Sequence, residues 1–182
     1  MEVIWKIENG PALISPKIFK DERGYFYESF NEKEFKEKVA NVTFVQDNQS
    51  CSSYGVLRGM HCQTGQFTQA KLVHVVKGAV LDVILDARYG GTHKIYTAYL
   101  SEENHRQLFV PRGFLHGFLT LRDNTIFQYK CDNFYNKESE LGFNPASIGF
   151  KWTDYIDGKD VILSEKDANS PSYIYIDKIN FE

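Results

Sequence analysis

The chain of 182 residues predicts an all-β domain of jelly-roll type, and three observations carry that prediction. Six or more short runs rich in β-branched and aromatic residues follow one another, turn residues separate them, and one segment alone has helical periodicity. Strands alternating with helices would build a parallel sheet instead, and that pattern is missing. With 42% hydrophobic and 15% aromatic residues the chain can bury a core. No repeat, low-complexity stretch or Pro/Gly/Ser linker divides it, so residues 1–182 are expected to form a single domain.

After an amino-terminal strand, "ALISPKIFKDERGYFYESF" supplies two extended runs around a D-E-R-G turn. "NEKEFKEKV" is the expected helix: Asn31 suits the N-cap, glutamates occupy the first turn, and Phe35 and Val39 share a face at i, i+4. "NVTFVQDNQ", "GVLRGMHCQ", "AKLVHVVKGAVLDVILDA", "KIYTAYLS", "RQLFVPRGFLHGFLTL" and "TIFQYKCDNFY" each read as a strand or hairpin, with Lys77-Gly78 folding the longest into a hairpin. Alternation places Lys71, Val73 and Val75 on one face and Leu72, His74 and Val76 on the other. Each set is apolar apart from one ionisable member, which predicts a strand covered on both sides. Lys71, Asp82 and Tyr129 therefore need partners in apolar surroundings: Lys71 and Asp82 either pair inside the core or serve a ligand.

Composition excludes several classes. Lysine and arginine (21) nearly balance aspartate and glutamate (24), and no basic run could track a phosphate backbone, so nucleic acid is not an expected partner. "MEVIWKIENG" lacks the positive charge of a secretory signal, and no apolar run reaches membrane-spanning length. A soluble cytoplasmic protein without membrane contact is expected. Cys51, Cys62 and Cys131 are too few and scattered for a disulfide framework or a C-x-x-C metal site, and read as thiols.

"RGMHCQ" raises the chemical question, because His61 there could be a metal ligand, a base or a hydrogen-bonded structural residue. Metal-binding jelly rolls use an H-x-H pair, a carboxylate and a final histidine on P-x-G-x-x-H. "PRGFLH", ending at His116, supplies the last part, but His61 is followed by Cys62 and Gln63, and Lys71 stands where a carboxylate would be needed. An ammonium there opposes a cation. Histidine, lysine and tyrosine in an apolar cup suit another task, removal of a proton from carbon beside a ketone. That chemistry needs a base with a carboxylate behind it, a cationic donor for the enolate oxygen, and an acid to return the proton on the opposite face.

"FKDERGYFYESF", "TFVQDNQS", "GVLRGMHCQ", "QAKLV", "RQLFVPRGFLHGF", "YKCDNFY" and "ILSEKDANSP", in this order, closely resemble the dTDP-4-dehydrorhamnose 3,5-epimerase family. The resemblance runs from about Ile14 to Pro171. It implies a cupin-type jelly-roll barrel with a few short helices, no cofactor and no metal, a homodimer, and a nucleotide-diphosphate sugar substrate, a 4-keto-6-deoxyhexose epimerised at C3 and C5. It further implies His61 as base, Asp167 as its carboxylate partner, Lys71 as enolate stabiliser with His116 nearby, and Tyr129 as acid for C5. Arg58 matches a diphosphate contact and Lys166 a second one. Arg23, Phe26, Glu28, Gln46 and Asn48 match nucleotide-pocket positions, some reached from the partner subunit, and Tyr135 matches the aromatic that stacks on the base.

Cys51 and Cys62 replace a usual basic residue and a usual aromatic, and His74 replaces an arginine. "DARYGGTHKIY" lacks the family's Ser-Pro-Thr turn, and "LGFNPASIGFKW" lacks its Trp-Asn/Asp-Asp/Pro pattern. The two cysteines are expected near the pocket, where they could change which sugar nucleotide fits. A C3-only epimerase, a metal-dependent cupin enzyme and a non-catalytic sugar-nucleotide binder are the alternatives.

Overall fold

The structure is a computed structural model that describes residues 1–174, 179 and 181. Its first strands, β1 (Glu2–Lys6) and β2 (Ala12–Ser15), pair antiparallel, and β3 (Phe19–Asp21) and β4 (Gly24–Phe26) form a separate hairpin on the D-E-R-G turn. The helix α1 (Glu32–Lys38) forms as expected. Asn31 caps it by accepting from the Glu34 amide at 3.1 Å, glutamates 32 and 34 face its positive end, and Phe35 is buried.

The remaining strands are β5 (Gln46–Ser52), β6 (Leu57–Gln63), β7 (Lys71–Lys77), β8 (Ala79–Asp86) and β9 (Ile95–Ser101). They are followed by β10 (Gln107–Val110), β11 (Phe114–Thr120), β12 (Thr125–Cys131) and β13 (Glu140–Gly142), and a one-turn helix α2 (Glu165–Ala168) comes last. One antiparallel sheet has the order β1-β2-β10-β7-β12-β5, and a second has β13-β6-β11-β8-β9. The two sheets face each other in a jelly-roll-like sandwich, and neither closes on itself into a true barrel.

Three apolar layers account for the continuous hydrophobic runs. Between the sheets, Val73, Val75, Leu108 and Phe127 meet Val80, Ile84, Leu100 and Phe118. Outside the second sheet, Leu57, Met60, Leu81 and Leu115 pack under the carboxy-terminal Phe143, Trp152 and Ile156. Outside the first, Leu72 and Phe109 pack under Phe35 and Val39 of the helical segment. Every residue of β8 is buried because both its faces are covered.

Three expectations need correction. Lys77-Gly78 is a corner rather than a hairpin: β7 and β8 lie in different sheets, and Gly78, at φ 84°, turns the chain between them against Thr125. The outer cover of β7 reaches Leu72 but stops before Val76, which is 44% exposed, because the segment around α1 is too short to extend there. The strand expected over 41–49 begins at Gln46, since residues 42 and 44 pack against the helix instead. Among the described residues no helix is long and apolar enough to cross a membrane.

Candidate active site

β6 and β11 pair His61 with His116 and Arg58 with Phe118, so three steps along β6 match two along β11. The extra residue is a β-bulge. Simple alternation would send Arg58 and His61 to opposite faces, whereas the bulge brings both to the same cavity between the sheets. Two glycines permit it. Gly59 sits at φ 122°, where a Cβ would lie 2.5 Å from the Gly117 Cα, and a Cβ on Gly117 would lie 2.8 Å from the Arg58 carbonyl oxygen.

The cavity holds about 390 Å³, within the usual range for small-molecule sites, roughly 300–1,000 Å³. His61 Nε2 stands 2.6 Å from Asp167 Oδ1, although the residues are 106 positions apart. Asp167 rides on α2, whose N-cap Ser164 accepts from the Asp167 amide, and it is buried. A buried carboxylate at Nε2 fixes the tautomer with the proton there, leaving the lone pair on Nδ1. Burial pulls the His61 pKa down, and the charge and hydrogen bond of Asp167 oppose this without cancelling it, so the ring is neutral near pH 7.

A second pair lies alongside: His116 Nε2 is 2.9 Å from Asp82 Oδ2, with Asp82 wholly buried. Asp82 therefore pairs with His116 and not with Lys71, because register sets it opposite Phe118 and diagonal to His116 on the inner face. The Lys71 ammonium instead lies 5.7 Å from the centre of the Tyr129 ring. Burial, chiefly, raises the Tyr129 pKa and keeps the phenol protonated.

Seven of the residues singled out in the sequence line this cavity: Arg58, His61, Lys71, His116, Tyr129, Lys166 and Asp167. Arg58 donates from Nε to the Ser52 hydroxyl at 3.0 Å. Gln46, Asn48 and Tyr135 form a neighbouring group: Gln46 donates to Asn48 at 3.0 Å and accepts from the Tyr135 amide at 3.1 Å. Arg23, Phe26 and Glu28 are not brought to the cavity of their own chain. Arg23 pairs with Asp21 at the exposed hairpin tip, Phe26 is 68% exposed, and Glu28 accepts from Asn31. Cys51 and Cys62 do not line the cavity either: Cys51 is exposed, and Cys62 is buried in the outer layer with its thiol pushed up to about 12.

Sequence reasoning missed Glu140. It accepts from the Tyr135 hydroxyl at 3.0 Å and from Lys166 Nζ at 2.6 Å. Burial pushes its carboxyl up, but those two partners outweigh it and hold it below the ordinary value. Nothing local in "NKESELG" distinguishes it from a solvated surface charge. Ser50 was also missed; its hydroxyl is buried at the cavity wall without a hydrogen-bond partner among the described residues. Among the described residues no group of three or more His, Cys, Asp or Glu side chains is placed to hold a metal ion.

A profile of the dTDP-4-dehydrorhamnose 3,5-epimerase family matches residues 7–174. The chain is 45% identical over 166 residues to the enzyme of that name from Methanothermobacter thermautotrophicus, covering 88% of each protein. A crystal structure of dTDP-4-dehydrorhamnose 3,5-epimerase from Elizabethkingia anophelis superposes with a TM-score of 0.86 at 47% identity, covering 95% of this chain and 96% of that one. The enzyme from Bacillus anthracis, solved with TDP and PPi bound, gives 0.88 at 38% identity over 94% and 99%.

Proposed function

The chain belongs to the dTDP-4-dehydrorhamnose 3,5-epimerase family, and on that premise we propose how its residues carry the reaction. It is an isomerase that epimerises C3 and C5 of a dTDP-linked 4-keto-6-deoxyhexose in dTDP-rhamnose biosynthesis. The C4 ketone acidifies both neighbouring C–H bonds. His61 Nδ1 takes the proton, the C–H electron pair moves into an enolate whose charge rests on the C4 oxygen, and the Lys71 ammonium stabilises that oxygen. Tyr129 returns a proton to C5 from the opposite face, and at C3 the returning proton comes from solvent water. His61 has then gained one proton and Tyr129 lost one, and exchange with solvent resets both. Asp167 holds the imidazole in its tautomer and stabilises the imidazolium.

The 2.6 Å contact between His61 and buried Asp167, beside Lys71 and Tyr129, is the observation that supports this assignment most directly. Arg58 serves the diphosphate and His116 the sugar. Lys166, already held by Glu140, takes a secondary part in the diphosphate contact. Tyr135 stacks on the base, with Gln46 and Asn48 beside it. Arg23, Phe26 and Glu28 serve the cavity of a second protomer in a homodimer, which accounts for their exposure in one chain. We take residues 1–182 as one domain, because both sheets share a core, and the cytoplasm as its compartment, where thiols persist.

His61→Ala is expected to abolish exchange of the C3 and C5 protons with deuterated solvent in a protein of unchanged circular dichroism; retained exchange would remove His61 from its role. Tyr129→Phe should reduce inversion at C5 more than at C3, as read by the product mixture. Equal loss at both centres would count against Tyr129 as the C5 acid.

A further inference from the structure

We propose that Asn144 is the positioning residue of the His61–Asp167 pair; the inference rests on the catalytic reading of that pair given above. Asp167 sits on a helix of a single turn, too short to hold its own place. Upstream of it, backbone bonds of Ile162 to Gly55 and Leu57 pin the segment to the start of β6. Downstream, Asn144 fastens it through both its side chain and its backbone, and the side chain alone reaches the helix itself. The Asn144 amide Nδ2 donates to the Ala168 carbonyl at 2.9 Å, one residue past Asp167, and its backbone amide donates to the Pro171 carbonyl at 2.9 Å. The Ala168 carbonyl is the last of the helix and has no intrahelical partner.

The other end of the same link is tied to His61. Asn144 follows β13, whose Gly142 pairs with His61, and Phe143 exchanges backbone hydrogen bonds with Met60. A Cβ on Gly142 would lie 2.9 Å from the His61 ring, so this strand sets the ring's position as well. From base to carboxylate the frame thus runs through β13, where the Asn144 link to Ala168 acts beside the Lys166–Glu140 pair. Asn144 has a separable structural duty: its Oδ1 accepts from the Ala146 amide at 2.9 Å and caps the turn over Pro145–Ile148.

Asn144→Asp and Asn144→Ser both retain a capping oxygen; the first loses the donor to Ala168 outright, and the serine hydroxyl, one bond shorter than the amide, no longer reaches that carbonyl. In each, kcat is expected to fall about tenfold or more with KM within about twofold, the pattern of a group that acts on the transition state alone. The His61 imidazole, followed by NMR, should titrate at lower pH than in the parent protein, because burial would then go less opposed by Asp167. The acid limb of the kcat profile should move the same way. A folded variant with unchanged kcat and unchanged His61 titration overturns the proposal, as does a rise in KM with kcat intact. Should Asn144→Asp fail to fold, Asn144→Ser decides. The catalytic reading itself fails separately, through retained solvent exchange in His61→Ala.

Discussion

Burial alone would leave His61 a weak base, and Asp167 restores part of its proton affinity without raising it above the ordinary histidine value. Activity then requires the neutral ring, so kcat should fall as pH drops through a value below about 6.5, the unperturbed histidine pKa. Asp167→Asn removes the opposing charge and should carry that acid limb lower still while costing roughly 10²–10⁴ in kcat, the usual worth of a positioned base. A limb that moves upward would show that Asp167 does not act on His61. His61, Lys71, Tyr129 and Asp167 could be singled out from their sequence surroundings because each is embedded in a distinctive short motif, and all four line one cavity. Asp82 was visible as an ionisable residue in an apolar run, yet its partner was not: choosing His116 over Lys71 takes the register of β8 against β11, which no local pattern records.

Strands and helix were readable to the extent that periodicity and caps are local. Asn31 and Phe35 announced α1, while the bulge in β6 was hidden, because one inserted residue inverts the alternation used to assign faces. That bulge is sterically exposed to test. Gly117→Ala places a methyl 2.8 Å from the Arg58 carbonyl and the Met60 sulfur, and should cost about 1–3 kcal/mol by overpacking while lowering activity through both Arg58 and His61. Phe35→Ala empties the outer layer instead and should cost about 3–5 kcal/mol with kcat preserved, since Phe35 lies outside the cavity. Urea titrations paired with turnover separate the two. Equal effects on activity per unit of stability lost would mean that the bulge has no special tie to the site. The Gly78 corner was misread for a related reason: a glycine with positive φ serves a hairpin and a change of sheet equally well.

At the scale of the whole molecule, the cavity of one chain gathers the reactive groups but not Arg23, Phe26 or Glu28. If these serve a second protomer, two inactive variants should complement each other. Mixing unfolded His61→Ala and Arg23→Ala chains and refolding them together should restore turnover, because one cavity of the mixed dimer has an intact base and an intact arginine. No recovery in mixed dimers isolated by tag would place Arg23 elsewhere. Asp167 adds a consequence in time. Arg58, His61, Lys71, His116 and Tyr129 are built on the two sheets, and the carboxylate arrives across the exposed stretch 157–160. A nascent polypeptide whose sandwich has already condensed is still chemically mute, and in a mature enzyme nicked in that stretch the carboxylate would stay in place only through the noncovalent bonds of Ile162 and Asn144.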